Sequence, residues 1–445
     1  MGKTVLYEKN IPLNDTEFDV IVCGAGPAGI CAAVSAAREG ARVLLAERYG
    51  TIGGMLTAGA ISPILGSVSG GTMYDEVCRR IKSCDVPFVR TRNGREVLLD
   101  REVTKAALDE FVTESGVTVW LGAAVADVIT APCDGRRCVR GVIFATQRGL
   151  CAVRGKVIVD STGDGCVAAL AGCHADIGRI GDGRLQPVSL EFVLENVAED
   201  AITVFGGSDP VKIPSGRFAG MEFREFCKMK NREGELPENV TIVRLHAKTH
   251  PDEREVNATQ VNGIDPLDPA ALAKAEAELR GQIATITDLL RKYIPGYENC
   301  RVSSSSDTVG VRESRRIRGI DLVCDADVEE GRMRDDAVVH NAWFLIDIHN
   351  PAGGGQAEGH SQPARPYDIP YGAFLPKDAD GLLVAGRCIS GTHRAHASYR
   401  VMAICMAMGE AVGIAAALAA AVNVDPKAIP AADIRRVLTA RGVEL

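Results

Sequence analysis

The hydrophobic pattern changes period several times along the chain of 445 residues, and each change marks an element. Residues 20–22, Val-Ile-Val, form a short unbroken apolar run, as expected for a strand buried on both faces. Residues 28–38 follow as a small-residue, Ala-rich helix that Gly40 ends, and 42–46 give a second buried strand with Glu47 at its carboxyl end. A loop over 56–71 leads into a helix over 72–82. Val103, Ala106, Ala107, Leu108 and Phe111 recur with helical spacing, so 100–115 reads as a helix stopped by Gly116, with a third parallel strand at 117–121. Apolar stretches at 125–129, 139–146 and 151–153, with a turn at Asp134 and Gly135, predict a β-meander. Residues 156–160 give another buried strand, then Ser-Thr-Gly-Asp-Gly and an Ala-rich helix to Gly172.

Beyond 185 the period falls to two. Val188, Leu190, Phe192 and Leu194 alternate with Ser189, Glu191 and Val193, which predicts an antiparallel strand entering a different domain. Residues 200–260 are broken by Pro and Gly and read as irregular. Residues 268–293 form a long amphipathic helix, capped by Asp268 with Pro269 in its first turn and ended by Pro295. Strand-like segments follow at 319–323 and 337–347. The Gly- and Pro-rich run 350–371 has too little apolar content to pack alone and is either a loop over a site or a crossover between domains. Residues 382–387 read as a strand returning to the first sheet, and 398–422 as one long helix. From 401 to 424 that helix carries Glu410 as its only charge, yet Ala and Gly outnumber Leu, so a buried core helix is expected and membrane insertion is not.

Candidate chemistry starts at the first turn. Gly24, Gly26 and Gly29 spell G-x-G-x-x-G between a strand and a helix. The first glycine permits the turn, the second lets backbone approach a pyrophosphate, and the third lets helix and strand pack closely. Free amides at the helix start, around Pro27 and Ala28, supply donors and a positive dipole for phosphates. Glu47 lies about 20 residues on, where a carboxylate accepts from ribose hydroxyls and disfavours a 2′-phosphate, leaving FAD and NAD open. Gly163, Gly165 and Ala168 mimic a second fingerprint, but no strand–helix–strand unit ending in an acid follows, so this turn is expected to close the first nucleotide domain.

Composition narrows the class. Apolar content of 46% and charge of 24% are ordinary for a globular protein. A net charge of −8 gives no reason to expect nucleic acid or an acidic membrane as partner. The 14 cysteines include no C-x-x-C, so no metal site, iron–sulfur cluster or redox dithiol is expected. The first 15 residues lack an apolar signal core, and a cytoplasmic location is expected.

Taken together, VIVCGAGPAG, LLAERYGTIGGM, VIVDSTGDG, VGVRESRRIRG and the block from IPYGAFLPKDADGLLVAGRCISG through the terminal helix resemble the FAD-dependent oxidoreductases of the broad glutathione-reductase-like class. The resemblance favours FAD and implies a Rossmann-like α/β FAD-binding domain, parallel sheet plus β-meander, made of 1–185 and 370–445, with an inserted α+β substrate domain at 186–369. It places Arg48, Gly53, Gly54, Met55, Asp164, Gly386, Arg387 and Ser398 near the cofactor with Gly24, Gly26, Pro27, Ala28, Gly29 and Glu47. A helix starting near Ser398 would aim its positive end at the flavin. His393, Arg394, His396 and Arg400 stand at that helix start. His393 can take a hydroxyl proton while hydride leaves the same carbon, with His396 as its substitute, and Arg400 can bind a substrate anion or the flavin. Arg312, Arg315 and Arg316 suit anion binding or, given Glu313, internal ion pairing; His349, His360 and Tyr371 can enter from the 350–371 run. The expected activity is hydride transfer between a small-molecule substrate and flavin, with a flavin monooxygenase or an electron-relaying flavin subunit as alternatives. NAD(P)H is not expected to be the direct reductant. The electron acceptor is unassigned, and a homo-oligomer is left open.

Overall fold

A computed structural model describes residues 8–81, 98–133, 136–206, 210–355 and 363–445. The expected turn at Asp134 and Gly135, the end of the 72–82 helix and His360 lie outside the described residues.

The first sheet is built on a run of parallel strands in the order Leu382–Val384, Gly149–Asp160, Phe18–Cys23, Val43–Ala46, Thr118–Trp120. The stretches read separately at 151–153 and 156–160 are one strand. Its first half pairs antiparallel with Arg136–Thr146 in the meander, and its second half pairs parallel with Phe18–Cys23. The register sets Cys23 level with Ala46 and with Asp160, and Asp160 level with Val384. Four carboxyl ends therefore open on one edge. The chain winds away from Phe18–Cys23 to either side, which makes this edge a topological switch point.

Two helices back the sheet. Pro27–Arg38 and Met402–Val422 lie against each other, and the contact is made by glycines. A Cβ on Gly409 would run into the carbonyl of Ala28, and one on Gly413 into that of Ala32. Met402–Val422 is the one described helix long and apolar enough to cross a membrane, and it is buried as the expected core helix; a shorter helix, Ala431–Ala440, follows it. The single charge of Met402–Val422, Glu410, accepts a hydrogen bond from Met73 N at 2.8 Å, and burial raises its pKa.

The second sheet is antiparallel, in the order Arg301–Ser305, Phe192–Glu195, Arg254–Asn257, Arg244–Ala247. Val188, Leu190, Phe192 and Leu194 all enter its core with Leu245 and Val256, so the alternation at 188–194 is real, although ladder pairing covers only Phe192–Glu195. The helix Pro269–Tyr293 covers that apolar face, with Asp268 accepting from Ala270 N as its cap. The second core spans Val188 to Cys300, whereas Ile317, Val328, Val338 and Tyr367 pack in the first core, so the cores part earlier than residue 369.

Three expectations need correction. Residues 200–260 hold a helix, Phe223–Arg232, and the strands Arg244–Ala247 and Arg254–Asn257. Residues 319–323 form no strand, because Gly319 and Val323 make only isolated bridges to Pro376 and Gly391. The expected 398–422 helix is two, His393–Tyr399 and Met402–Val422, with Arg400 ending the first and extended Val401 opening the second.

Packing of the two glycines gives a direct test. Gly409→Leu should lower thermal stability by about 1–3 kcal/mol or more, since a backbone carbonyl cannot yield as a side chain can. An unchanged melting temperature would show that the helices are not in tight contact.

Candidate active site

The switch-point edge assembles most of the expected cofactor residues. A Cβ on Gly24 would sit 2.6 Å from Ser161 O, and one on Gly29 would collide with Gly24 O, so the turn is fixed by close backbone approach. Ser161 Oγ donates to Cys23 O and Gly24 O, tying the second glycine turn to the first. Asp160 braces that second turn by accepting from Thr162 and Ala168 N. Gly26 differs from its neighbours: a side chain there would meet no protein atom within 4 Å. Gly26 caps the helix, Pro27 opens it and Ala28 follows, with no acid in the first turn. Open space ahead of free helix amides is what a pyrophosphate requires.

Glu47 is buried, and its two oxygens accept from Ala25 N at 2.7 Å and Tyr49 N at 3.0 Å. It braces the fingerprint loop, a role sequence reading missed, and each oxygen keeps a lone pair for a ribose hydroxyl. Gly53 N donates to Ala25 O at 2.7 Å, and Gly54 lies against Gly26, so the turn that carries Met55 closes over the fingerprint. Gly386 faces Ala28, and Arg387 Nη2 reaches Asp164 Oδ1 at 3.1 Å. Arg48 Nη2 lies 3.9 Å from Asp164 Oδ2. Burial alone would raise the Asp164 pKa; Arg387, Ser314 and Arg48 outweigh it and hold the carboxyl below its usual range.

Ser398 is not part of this edge. Its hydroxyl donates to Phe344 O at 2.6 Å and accepts from Tyr367, which locks the short helix in place. The long helix begins at Met402, four residues later than expected, and Ala403 N donates to Leu65 O.

His393 and Arg400 stand at opposite ends of the short helix. His393 Nδ1 lies 2.9 Å from Glu313 Oε1, and its Nε2 has no partner in the protein. Glu313 is fully buried and is also held by Arg316 and by Gln186 N. Arg316 therefore serves in an ion pair, and Arg315 donates to Asp164 O. His396 is buried with Nδ1 unpartnered; burial, then Arg316, Arg400, Arg387 and His393, push its pKa well below the usual value. Arg394 lies farther out, pairing with Glu329. Tyr371 is tied to Pro426 O.

Arg400 leads into a second polar region. Its Nη2 donates to Asp347 O at 3.1 Å and lies 3.4 Å from Asp347 Oδ2, which His349 Nε2 approaches at 3.2 Å. His349 N donates to Gln186 Oε1, and beside it Arg312 donates to Pro187 O. Against these residues lies the second sheet's other face, which carries Glu191, Arg244, His246 and Glu255. That face is polar yet mostly buried. Glu255 accepts from Ser62 N with both oxygens at 3.0 Å, and His246 Nδ1 lies 3.4 Å from Ser62 O. Burial raises the pKa of Glu191 and, with Glu191 alongside, raises that of Glu255 further. Burial would raise Asp347 too, but the hydrogen bond from His349 and the charges of Arg400 and Arg244 outweigh it and hold the carboxyl below its usual range. Burial and two arginines push His349 down to about 3, so it is neutral. Arg244, His246 and Glu255 escaped the sequence reading because their strands fall in a stretch whose Pro and Gly breaks read as irregular; the available signal was the alternation of Val243, Leu245 and Ala247 with Arg244 and His246.

Thiamine thiazole synthase from Pyrococcus horikoshii is 28% identical over 165 residues, 35% of this chain and 62% of that protein, so the match spans under two thirds of the relative. The thiamine thiazole synthase of Aeropyrum pernix is 29% identical over 206 residues, 42% of this chain and 70% of its own. Among solved structures, a geranylgeranyl bacteriochlorophyll reductase-like protein from Thermoplasma acidophilum covers 97% of this chain and 84% of its own with a TM-score of 0.49 at 15% identity. The family model described as FAD dependent oxidoreductase matches residues 19–438, and the chain belongs to that family.

Proposed function

We propose that this FAD-dependent oxidoreductase moves a hydride between a small polar organic substrate and its cofactor, with His393 as the proton-handling group. The observation that supports this is the Glu313–His393 pair. A proton on Nδ1 is held toward Glu313, which leaves Nε2 as a bare acceptor in a buried place. The same stretch that carries His393 begins with Gly386 and Arg387 at the cofactor edge, so the base and the cradle share one short segment.

FAD would be held by the Gly24–Gly29 turn, Glu47, Arg48, the 53–55 turn, Asp164, Gly386 and Arg387, and it supplies a two-electron acceptor or donor for the substrate carbon. Glu313 orients the imidazole and stabilises its positive charge once Nε2 has taken a hydroxyl proton. His396 stays neutral among its cationic neighbours, which suits a positioning role better than proton transfer. Arg400, fixed by Asp347, is set to hold the non-reacting end of the substrate.

Four outcomes are expected. Gly26→Val should leave the fold intact, since a Cβ there meets no protein atom within 4 Å, while FAD content per chain drops sharply; Gly29→Val should fail to fold. Full FAD occupancy in Gly26→Val would remove the pyrophosphate from this turn. His393→Ala should keep FAD bound and slow anaerobic flavin reduction by about 10²–10⁴-fold. Glu313→Gln should shift the pH profile of that reduction without abolishing it. A His393→Ala variant that reduces at the wild-type rate would end the base assignment.

A further inference from the structure

We infer that the substrate is a small organic acid, its carboxylate held by Arg400 and Arg312 among the buried polar residues that face the second sheet; this rests on the hydride-transfer reading above.

Three buried donors of this cluster, Arg400 Nε, Arg244 Nη1 and Gln186 Nε2, have no partner in the protein, beside the unpartnered acceptors Glu191 Oε2, Asn257 Oδ1 and His349 Nδ1. Buried donors left without acceptors cost roughly 1–3 kcal/mol each, more when charged, and an oxygen-rich anion is the ligand that satisfies several at once. Gln186 is 2% exposed, so solvent reaches it poorly.

Charge points the same way. Arg244, Arg312 and Arg400 gather around Asp347, with Glu191 and Glu255 beside them. Lys248, which donates to Leu99 O, faces Glu191, Glu255 and Glu253. Burial and the Arg400 charge push the Arg312 pKa down to about 10. A monoanion suits these crowded arginines, whereas a phosphate dianion would be repelled by Asp347. A planar carboxylate also matches the guanidinium fork. Arg400 and His393 close the two ends of one short helix, so an acid anchored at Arg400 can present a neighbouring carbinol to His393.

The test is calorimetric titration of the FAD-bound enzyme with 2-hydroxy-2-methylpropanoate. This probe has the acid and the hydroxyl but no carbinol hydrogen, so binding is read without turnover. Its neutral amide and inorganic phosphate are run in parallel. The acid should bind at least about tenfold more tightly than either. Arg400→Met should erase the preference for acid over amide, and Arg312→Lys, which keeps charge but loses the fork, should weaken the acid about tenfold. FAD absorbance per chain reports that each variant is folded; if Arg400→Met loses FAD, Arg312→Lys and the wild-type acid-to-amide ratio decide. Equal affinity for acid and amide, no binding of the acid, or tighter binding of phosphate would overturn the inference. If His393→Ala reduces normally while the acid is still preferred, the base assignment falls and the acid site stands.

Discussion

The structure depends on how closely the turn after the first strand approaches the strand beside it. Gly24 has no room for a Cβ because Ser161 backbone occupies that space, and Gly29 has none because Gly24 does. Ser161 Oγ and Glu47 then tie this turn to the ends of its two neighbouring strands. Three strand ends thus become one rigid edge, and Gly26 is the place on it left open. The helix Met402–Val422 extends the same logic behind the sheet, where Gly409 and Gly413 bring it onto the backbone of the fingerprint helix. Small residues serve the site twice: in front they admit a ligand, and behind they fix the helix that points at it.

The second sheet obeys a different constraint. One face is an ordinary apolar core, but the other buries glutamates, a histidine and an arginine against the first domain. Burying such groups costs several kcal/mol apiece unless they are paired. Pairing is incomplete here, since Arg244 Nη1 and Glu191 Oε2 have no partner in the protein. A fold optimised for stability alone would place apolar residues on that face. Retaining charge there makes sense where a ligand completes the network.

Legibility in the sequence followed how many neighbours each residue needs. The fingerprint, Glu47 and the capped helix at 269–293 rest on local rules, and each stands where its pattern placed it. The strands at 244–247 and 254–257 did not show, because an alternating strand whose outer face is buried and polar looks like loop. The break at Arg400 and Val401 was also hidden, since no Pro or Gly interrupts the apolar pattern there. At the break Arg400 meets Asp347, a partner 53 residues away that no local pattern reveals. Glu313 showed the opposite ambiguity. Its charge beside Arg312, Arg315 and Arg316 suggested a simple ion pair, and only the fold brings His393 to its other side.

That break explains why cofactor edge and polar cluster are coupled. An unbroken helix from 393 to 422 would carry Arg400 along the apolar axis of Met402–Val422, against the sheet. Ending the short helix at Arg400 turns its guanidinium toward Asp347 while His393, one helix length away, remains on Glu313. Glu313 is in turn joined through Gln186 to His349 and so back to Asp347. The two ends of the short helix are therefore held by one continuous set of hydrogen bonds. The imidazole on Glu313 and the guanidinium on Asp347 are thus positioned through the same two residues, Gln186 and His349.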